Sequence, residues 1–406
     1  MYIKRHIEAV LVDLLEQYPC VVISGPRQVG KSTMTEHIPN ADKYKFITLD
    51  DDELRALALT DPKLFMQLYP PPICIDEIQK APNLFSFIKI HCDKYHNAGD
   101  FILTGSQIYK LIKEADETMT GRIAFLDMQG ISLSETTGLP NVPFLPSIDV
   151  YRDRKPAVPV DARAIFERIQ RGNMPSIITG QYRDAARYYS AYLSTYLQKD
   201  INDLVPGIDT LKFRRFITAC ACRTGQLKNI AAIAEDAEIS VVTATNWLNV
   251  LETIGVIFFL HPYSNNLLKR TIKTPKLYFH DTGLVCYLCK WQSGESVSVG
   301  AQAGALLENF AVSEILRTYY NAGKEPYLYY YRNVDNKEID LLIEHDQKLH
   351  PIKIKKAATV DTKRISNTFK IIEKSGLAQG TGAVLNLSDT IGALDANTLT
   401  IPISLI

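Results

Sequence analysis

Apolar residues recur at helical spacing at the start of the chain. Ile3, Ile7, Val10, Leu11, Leu14 and Leu15 fall on one face, which predicts a helix over residues 1–17. Five short apolar runs follow, at residues 20–24, 46–50, 73–77, 101–106 and 123–128, separated by helical stretches. Runs this short, alternating with helices, predict buried strands of a parallel sheet in an α/β fold. One of the intervening stretches is rich in Leu and Ala and ends at Pro70-Pro71-Pro72, and a polar helix is expected just before Gly121.

The pattern changes after residue 136. A proline-rich connection carrying Pro140, Pro143 and Pro146 leads to helical runs at 162–171 and 182–198. Tyr188, Tyr189, Tyr192 and Tyr196 recur there at helical spacing, which reads as packing. Three further helices, at 213–222, 227–235 and 240–253, precede strands at 256–260 and 276–279, the order of a winged helix. The last hundred residues open with a helix from Gly304, then strands at 327–332, 338–343 and 349–355.

The chemistry sits on the first of these patterns. Gly25-Pro26-Arg27-Gln28-Val29-Gly30-Lys31-Ser32 is a complete G-x-x-x-x-G-K-[ST] loop between a strand and a helix, with Thr33 continuing the motif. Glycines let backbone N–H groups curl round phosphates. Lys31 is placed to reach the β- and γ-phosphates of ATP, and the Ser32 hydroxyl to ligate Mg²⁺. The third strand closes on Asp76-Glu77, with Asp76 expected to hold Mg²⁺ through water and Glu77 to act as general base. One strand separates the loop from this acidic pair and another follows it. That order belongs to P-loop ATPases with a catalytic Glu and an added strand, on which Thr104 or Ser106 is the γ-phosphate sensor candidate. Arg122 stands just ahead of the fifth strand, where ring-forming ATPases present an arginine finger; a structural salt bridge is the alternative.

Ser24–Thr33, Asp76-Glu77-Ile78-Gln79-Lys80, Leu103-Thr104-Gly105-Ser106-Gln107, Gly121-Arg122 and Ile131-Ser132-Leu133-Ser134-Glu135 together resemble one AAA-type family. It comprises bacterial and archaeal ATPases whose C-terminal domain, of unknown function, is similar to restriction endonucleases. The resemblance implies an AAA-type core over 1–135, a helical lid over 136–204, the winged helix over 205–295 and a PD-(D/E)XK nuclease-like domain over 296–406. In that nuclease core a helix Glu, a strand Asp and an E-x-K pair gather round a metal, which points to Glu308, Asp340 and Lys355. Lys353 stands where the Glu of E-x-K would be, so the nuclease-like site is expected to be degenerate, with Glu338 a partial substitute.

Composition narrows the reading. Forty-five basic and 45 acidic residues balance, so no global field draws the chain to nucleic acid or membrane. No apolar run approaches membrane-spanning length, and the N-terminal segment runs directly into the phosphate loop, so no signal peptide is expected. Seven cysteines suit a reducing, cytoplasmic setting. Cys220, Cys222, Cys286 and Cys289 add up to a four-thiolate zinc set, but their apolar helical surroundings favour buried thiols. The 241–248 helix carries no Lys or Arg, while Lys269, Arg270, Lys273 and Lys276 are assigned to the hairpin turn. DNA contact and a protein-contact role both remain open there. The expected function is ATP hydrolysis driving or gating a conformational change, in a chain that self-associates if Arg122 acts as a finger. The alternatives are a nucleotide-dependent binding module with little turnover, or an ATP-controlled DNA-processing enzyme.

Overall fold

The computed structural model describes residues 2–106, 121–197, 201, 204, 207–264, 274–333, 337–357, 361–370, 372 and 378–406. The expected polar helix before Gly121, Gln107, Gln198, and Lys269, Arg270 and Lys273 lie outside the described residues. The chain divides into two compact units, one of residues 2–130 with 320–324, the other of 131–319 with 325–406.

The first unit is built on five parallel strands: β1 (Cys20–Ser24), β2 (Lys45–Thr48), β3 (Ile73–Asp76), β4 (Phe101–Thr104) and β5 (Ile123–Asp127). Their order in the sheet is β2-β3-β4-β1-β5. Strand β1 is flanked on both sides, with Cys20 opposite Phe101 and Ile123. Successive side chains of a strand point to opposite faces, and here each face has its own core. Cys20, Val22, Ile73, Ile75, Phe101 and Leu103 pack with Phe65 and Ile88 on one face. Val21, Ile23, Cys74, Ile102 and Leu126 pack with Ile7, Leu11 and Met34 on the other. Burial on both faces is why the central strands β1, β3 and β4 read as unbroken apolar runs, while the edge strand β2 is largely exposed.

Two helices differ from the sequence pattern for local reasons. The first spans Glu8–Gln17 only, because the Glu8 carboxylate turns back to accept from the Arg5 backbone N–H at 2.6 Å and from the Tyr2 hydroxyl. The Leu/Ala-rich stretch is two helices, Asp52–Thr60 and Pro62–Leu68. Asp61 ends the first and caps the second through Leu64 N–H at 2.9 Å, and Pro62 takes the first helical position.

The second unit begins with short helices and the helix Ala162–Arg171, then Ala185–Ala191, which continues as π-helix over Tyr192–Leu197. Tyr188, Tyr189 and Tyr192 are buried in its core, as packing residues. Helices Thr210–Ala221, Ile230–Asp236 and Val241–Thr253 lead into the antiparallel pair β6 (Ile257–Leu260) and β7 (Lys276–Phe279). After helix Ala303–Tyr320 come β8 (Leu328–Arg332), β9 (Glu338–His345), β10 (Lys348–Ile354), β11 (Ala378–Gln379), β12 (Gly382–Asn386), β13 (Gly392–Asp395) and β14 (Thr398–Pro402). They form one mixed sheet ordered β13-β14-β12-β10-β9-β8, with β11 also beside β10. One apolar cluster of this unit draws on residues from Leu133 to Ile406, and a second gathers Tyr263, Ile339, Leu342, Leu349, Ile365 and Phe369.

Candidate functional site

Strand β1 delivers the phosphate loop at its carboxyl end. Gly25 (φ 143°) and Gly30 (φ 92°) adopt backbone conformations that side chains disfavour. A Cβ on Gly25 would lie 2.0 Å from the Met128 carbonyl oxygen, so the loop closes on the end of β5 only without one. Helix Lys31–Thr35 starts at the motif lysine. The Lys31 side chain is buried, and its ammonium donates to the carbonyls of Gly25 (2.8 Å) and Pro26 (2.9 Å). Ser32 and Thr33, by contrast, are exposed.

Strands β3 and β4 bring the acids to the same edge. Ile75 pairs with Leu103 in parallel register, which sets Thr104 beside Asp76, and the Thr104 hydroxyl donates to Asp76 Oδ1. Glu77 leaves the strand in the left-handed region (φ 58°), which turns its carboxylate toward the loop. Arg27 Nη1 lies 3.4 Å from Glu77 Oε1, and Gln79 donates to Oε2 while standing 3.5 Å from Ser106 Oγ. Burial pushes the Glu77 carboxyl above the usual range, and Asp76 adds to this; Arg27, Lys31 and Gln79 pull it back. Arg27, Lys31, Asp76, Glu77, Thr104 and Ser106 are therefore gathered at one end of the sheet.

Arg122 is not among them. It precedes β5 at the opposite end, where its carbonyl accepts from the Cys20 N–H at 3.3 Å and its guanidinium pairs with Asp93.

Sequence reasoning missed the group that braces the loop. The buried Arg5 donates to the carbonyls of Val29 (3.0 Å), Gln129 (2.7 Å) and Gly130 (3.3 Å). Gln79, which donates to Glu77, has no role in the motif reading either. No motif marks Arg5; an arginine two residues ahead of buried Ile7 is the one hint that it turns inward.

In the second unit, Glu308, Glu338, Asp340 and Lys353 meet, but in ion pairs. Lys353 Nζ is 2.5 Å from Asp340 Oδ1 and 2.8 Å from the Glu338 carbonyl oxygen, and Asp340 Oδ2 accepts from the Ile354 N–H at 2.8 Å. Lys276 belongs to this cluster, which corrects its assignment to the hairpin turn. It opens β7, is buried, and bridges Glu308 Oε1 (2.9 Å) and Glu338 Oε1 (2.6 Å). Tyr278, two residues on and so on the same face, donates to Glu308 Oε1 at 2.6 Å. Burial alone would lower the Lys276 pKa, but Glu308 and Glu338 outweigh it and hold it high. Burial and Asp340 raise the Glu308 carboxyl, against Lys276 and Tyr278. Lys355 lies just beyond β10, its backbone N–H bonded to the Leu385 carbonyl at 2.8 Å. The zinc candidates are free thiols: Cys220 and Cys286 are buried, and Cys222 and Cys289 adjoin each other. Among the described residues no group of three or more His, Cys, Asp or Glu is placed to hold a metal ion, and no helix is long and apolar enough to cross a membrane.

Comparison with known proteins agrees with the first unit and leaves the second unassigned. Residues 17–137 match an AAA domain family, while 162–295 and 303–406 match two domains of unknown function. Uncharacterized proteins of Mycobacterium tuberculosis and Mycobacterium bovis are each 26% identical over 363 residues, 89% of this chain and 76% of theirs. A Walker-type ATPase of Pyrococcus abyssi aligns at 13% identity over 71% of this chain and 96% of its own, with TM-score 0.41. The RuvB Holliday junction branch migration motor of Thermotoga maritima aligns at 15% identity over 62% and 88%, with TM-score 0.30. The two structural likenesses are too loose to bear on activity. The five-stranded parallel sheet and the family match at 17–137 together support an AAA-type P-loop domain of α/β fold in the first unit.

Proposed function

We propose that the first unit binds ATP with Mg²⁺ and hydrolyses it, and that turnover drives or gates a conformational change. The observation that carries this reading is a half-buried carboxylate, Glu77, held beside the phosphate-loop lysine and the Asp76–Thr104 pair. The glycine conformations and the missing Cβ at Gly25 fit a loop whose main chain wraps phosphates. Lys31 would exchange its loop carbonyls for phosphate oxygens. Ser32 and Asp76 would hold Mg²⁺, which when bound supplies charge neutralisation at the phosphates. Glu77 would take a proton from the attacking water, and Thr104 or Ser106 would orient it and sense the γ-phosphate. Arg122 would serve a neighbouring copy's nucleotide.

For the second unit we propose a helical lid over 136–204, a winged helix over 205–295 and a nuclease-like domain over 296–406 that has lost its metal site. Two lysine ammoniums on the would-be metal-binding carboxylates support that loss and weigh against DNA cutting. A second reading, a nucleotide-dependent module with little turnover, is favoured by the contacts of Arg27 and Gln79 that occupy Glu77. Steady-state phosphate release measured beside ATP affinity, with and without DNA, tests the proposal. ATP binding with release no faster than that of Glu77→Gln would replace it with the second reading.

A further inference from the structure

Helix Thr210–Ala221 and helix Thr282–Leu288 are each closed by a cysteine, and the two cysteines meet. Cys222 Sγ and Cys289 Sγ lie 3.6 Å apart. A disulfide needs about 2.05 Å, so the sulfurs must approach by roughly 1.5 Å for a bond to form. The other five cysteines are buried, whereas Cys222 is exposed and Cys289 is partly so.

Access and activation are both built around Cys222. It lines a cavity of about 420 Å³ together with Arg214, Arg215, Thr218, Arg223 and Asp236. Arg223 is paired with Asp236 at 2.6 Å and Arg215 with Glu238 at 2.7 Å. Arg214 reaches the Tyr287 hydroxyl at 3.2 Å, on the helix that ends at Cys289. The hydrogen bond with Cys289 holds the Cys222 thiol below its ordinary pKa, helped by Arg223 and opposed by burial and Asp236. The same contact pushes Cys289 up. Exposure separates the two thiols: Cys222, open to the cavity beside Arg223, is suited to attack, and the more covered Cys289 to resolve.

We propose that Cys222 and Cys289 are a peroxide-reactive dithiol site, with Cys222 attacking and Cys289 resolving. The Cys222 thiolate attacks one peroxide oxygen and breaks the O–O bond, giving a sulfenic acid and releasing hydroxide (or alkoxide). The Cys289 sulfur then attacks the Cys222 sulfur, an S–S bond forms, and the sulfenic oxygen leaves as water with the Cys289 proton. Two thiols lose two electrons and the peroxide gains them; a dithiol reductant reverses the step by exchange. The bond closes a loop holding helices Ile230–Asp236 and Val241–Thr253 and the β6–β7 pair, so oxidation fastens that module's two ends.

The test uses the full chain treated with hydrogen peroxide, then denatured, alkylated and mapped without reduction by mass spectrometry. Alkylatable thiols should fall from seven to five, with a Cys222–Cys289 cross-linked peptide that dithiothreitol removes. Cys289→Ser should stop at a Cys222 sulfenic acid that dimedone traps, and Cys222→Ser should leave Cys289 reduced at the same dose. Seven surviving thiols, a bond through any other cysteine, or oxidation of Cys289 in Cys222→Ser at the parental rate would each overturn the assignment.

Discussion

The Lys353 ammonium donates to Asp340 Oδ1 at 2.5 Å, both side chains largely buried, so strand β10 supplies a cation to the carboxylate that its neighbour β9 presents. The pair is antiparallel there, with Ile352 opposite Leu341, which places Lys353 alongside Asp340. A fixed ammonium at that point does for Asp340 what a divalent ion does elsewhere.

Breaking this pair from one side should therefore be costly. Lys353→Met leaves a buried carboxylate without its counter-charge and is expected to lower stability by about 3 kcal/mol. Adding Asp340→Asn should recover most of that loss. Denaturant unfolding of the two variants beside the parent checks it, and equal losses in single and double variants would show that the charge pairing is not what matters.

Metal affinity should track the lysines. The parent is expected to show no Mn²⁺ binding that Asp340→Asn removes. Lys353→Glu should introduce some, and Lys353→Glu with Lys276→Met more, because Lys276 still covers Glu308 and Glu338 in the single variant. Calorimetric titration of the nucleotide-free chain distinguishes these. Mn²⁺ binding by the parent that is lost in Asp340→Asn would contradict the degenerate reading.

At the phosphate loop, Lys31→Ala should weaken ATP binding on the order of 10²-fold, the effect of losing charge-assisted contacts worth about 3 kcal/mol. Glu77→Gln should keep affinity and reduce turnover about 10²- to 10⁴-fold. Fluorescent-nucleotide titration and phosphate release separate the two, and a Glu77→Gln chain that hydrolyses like the parent would remove the base assignment.

The raised carboxyl of Glu77 fixes a pH sign. As a base it must be ionised, so turnover should fall with pH on an acid limb lying above that of an ordinary glutamate. Because the fold favours its neutral form, ionising Glu77 opposes folding at neutral pH, and that penalty lifts as pH falls from the raised value to that of an ordinary glutamate. Arg27→Ala removes a group that favours ionisation and should move the acid limb to higher pH. A pH–rate profile identical to the parent's would show that Arg27 does not act on Glu77.

Arg122 faces a different test because it lies at the far end of the sheet from the loop. Glu77→Gln and Arg122→Ala chains, each impaired alone, should regain turnover when mixed if the arginine acts across copies, a contribution of about 10³- to 10⁵-fold. Mixing without recovery assigns Arg122 to its ion pair with Asp93.

Much of the first unit was legible because buried parallel strands write themselves as apolar runs, and the phosphate loop and Asp76-Glu77 fall at their carboxyl ends. The Asp61-Pro62 break was missed: a cap followed by a helix-starting proline does signal it, but the Leu/Ala run around it hid that signal. Lys276 was not legible. A lysine at the head of a strand reads as solvated, and its burial depends on Glu308 and Glu338, 32 and 62 residues away in the chain. Arg5 was hidden for a related reason: its partners are main-chain carbonyls, which no side-chain pattern records.

The approach of Gly25 to the Met128 carbonyl makes one part of the phosphate loop insensitive to the identity of a neighbouring residue and sensitive to its spacing. Any side chain at 128 that fills the same core space leaves that carbonyl where it is. One added or deleted residue between Asp127 and Gln129 moves it, along with the Gln129 and Gly130 carbonyls that Arg5 holds. Volume-conserving substitutions at 128 would pass, whereas an indel scan would find this stretch among the least tolerant in the unit.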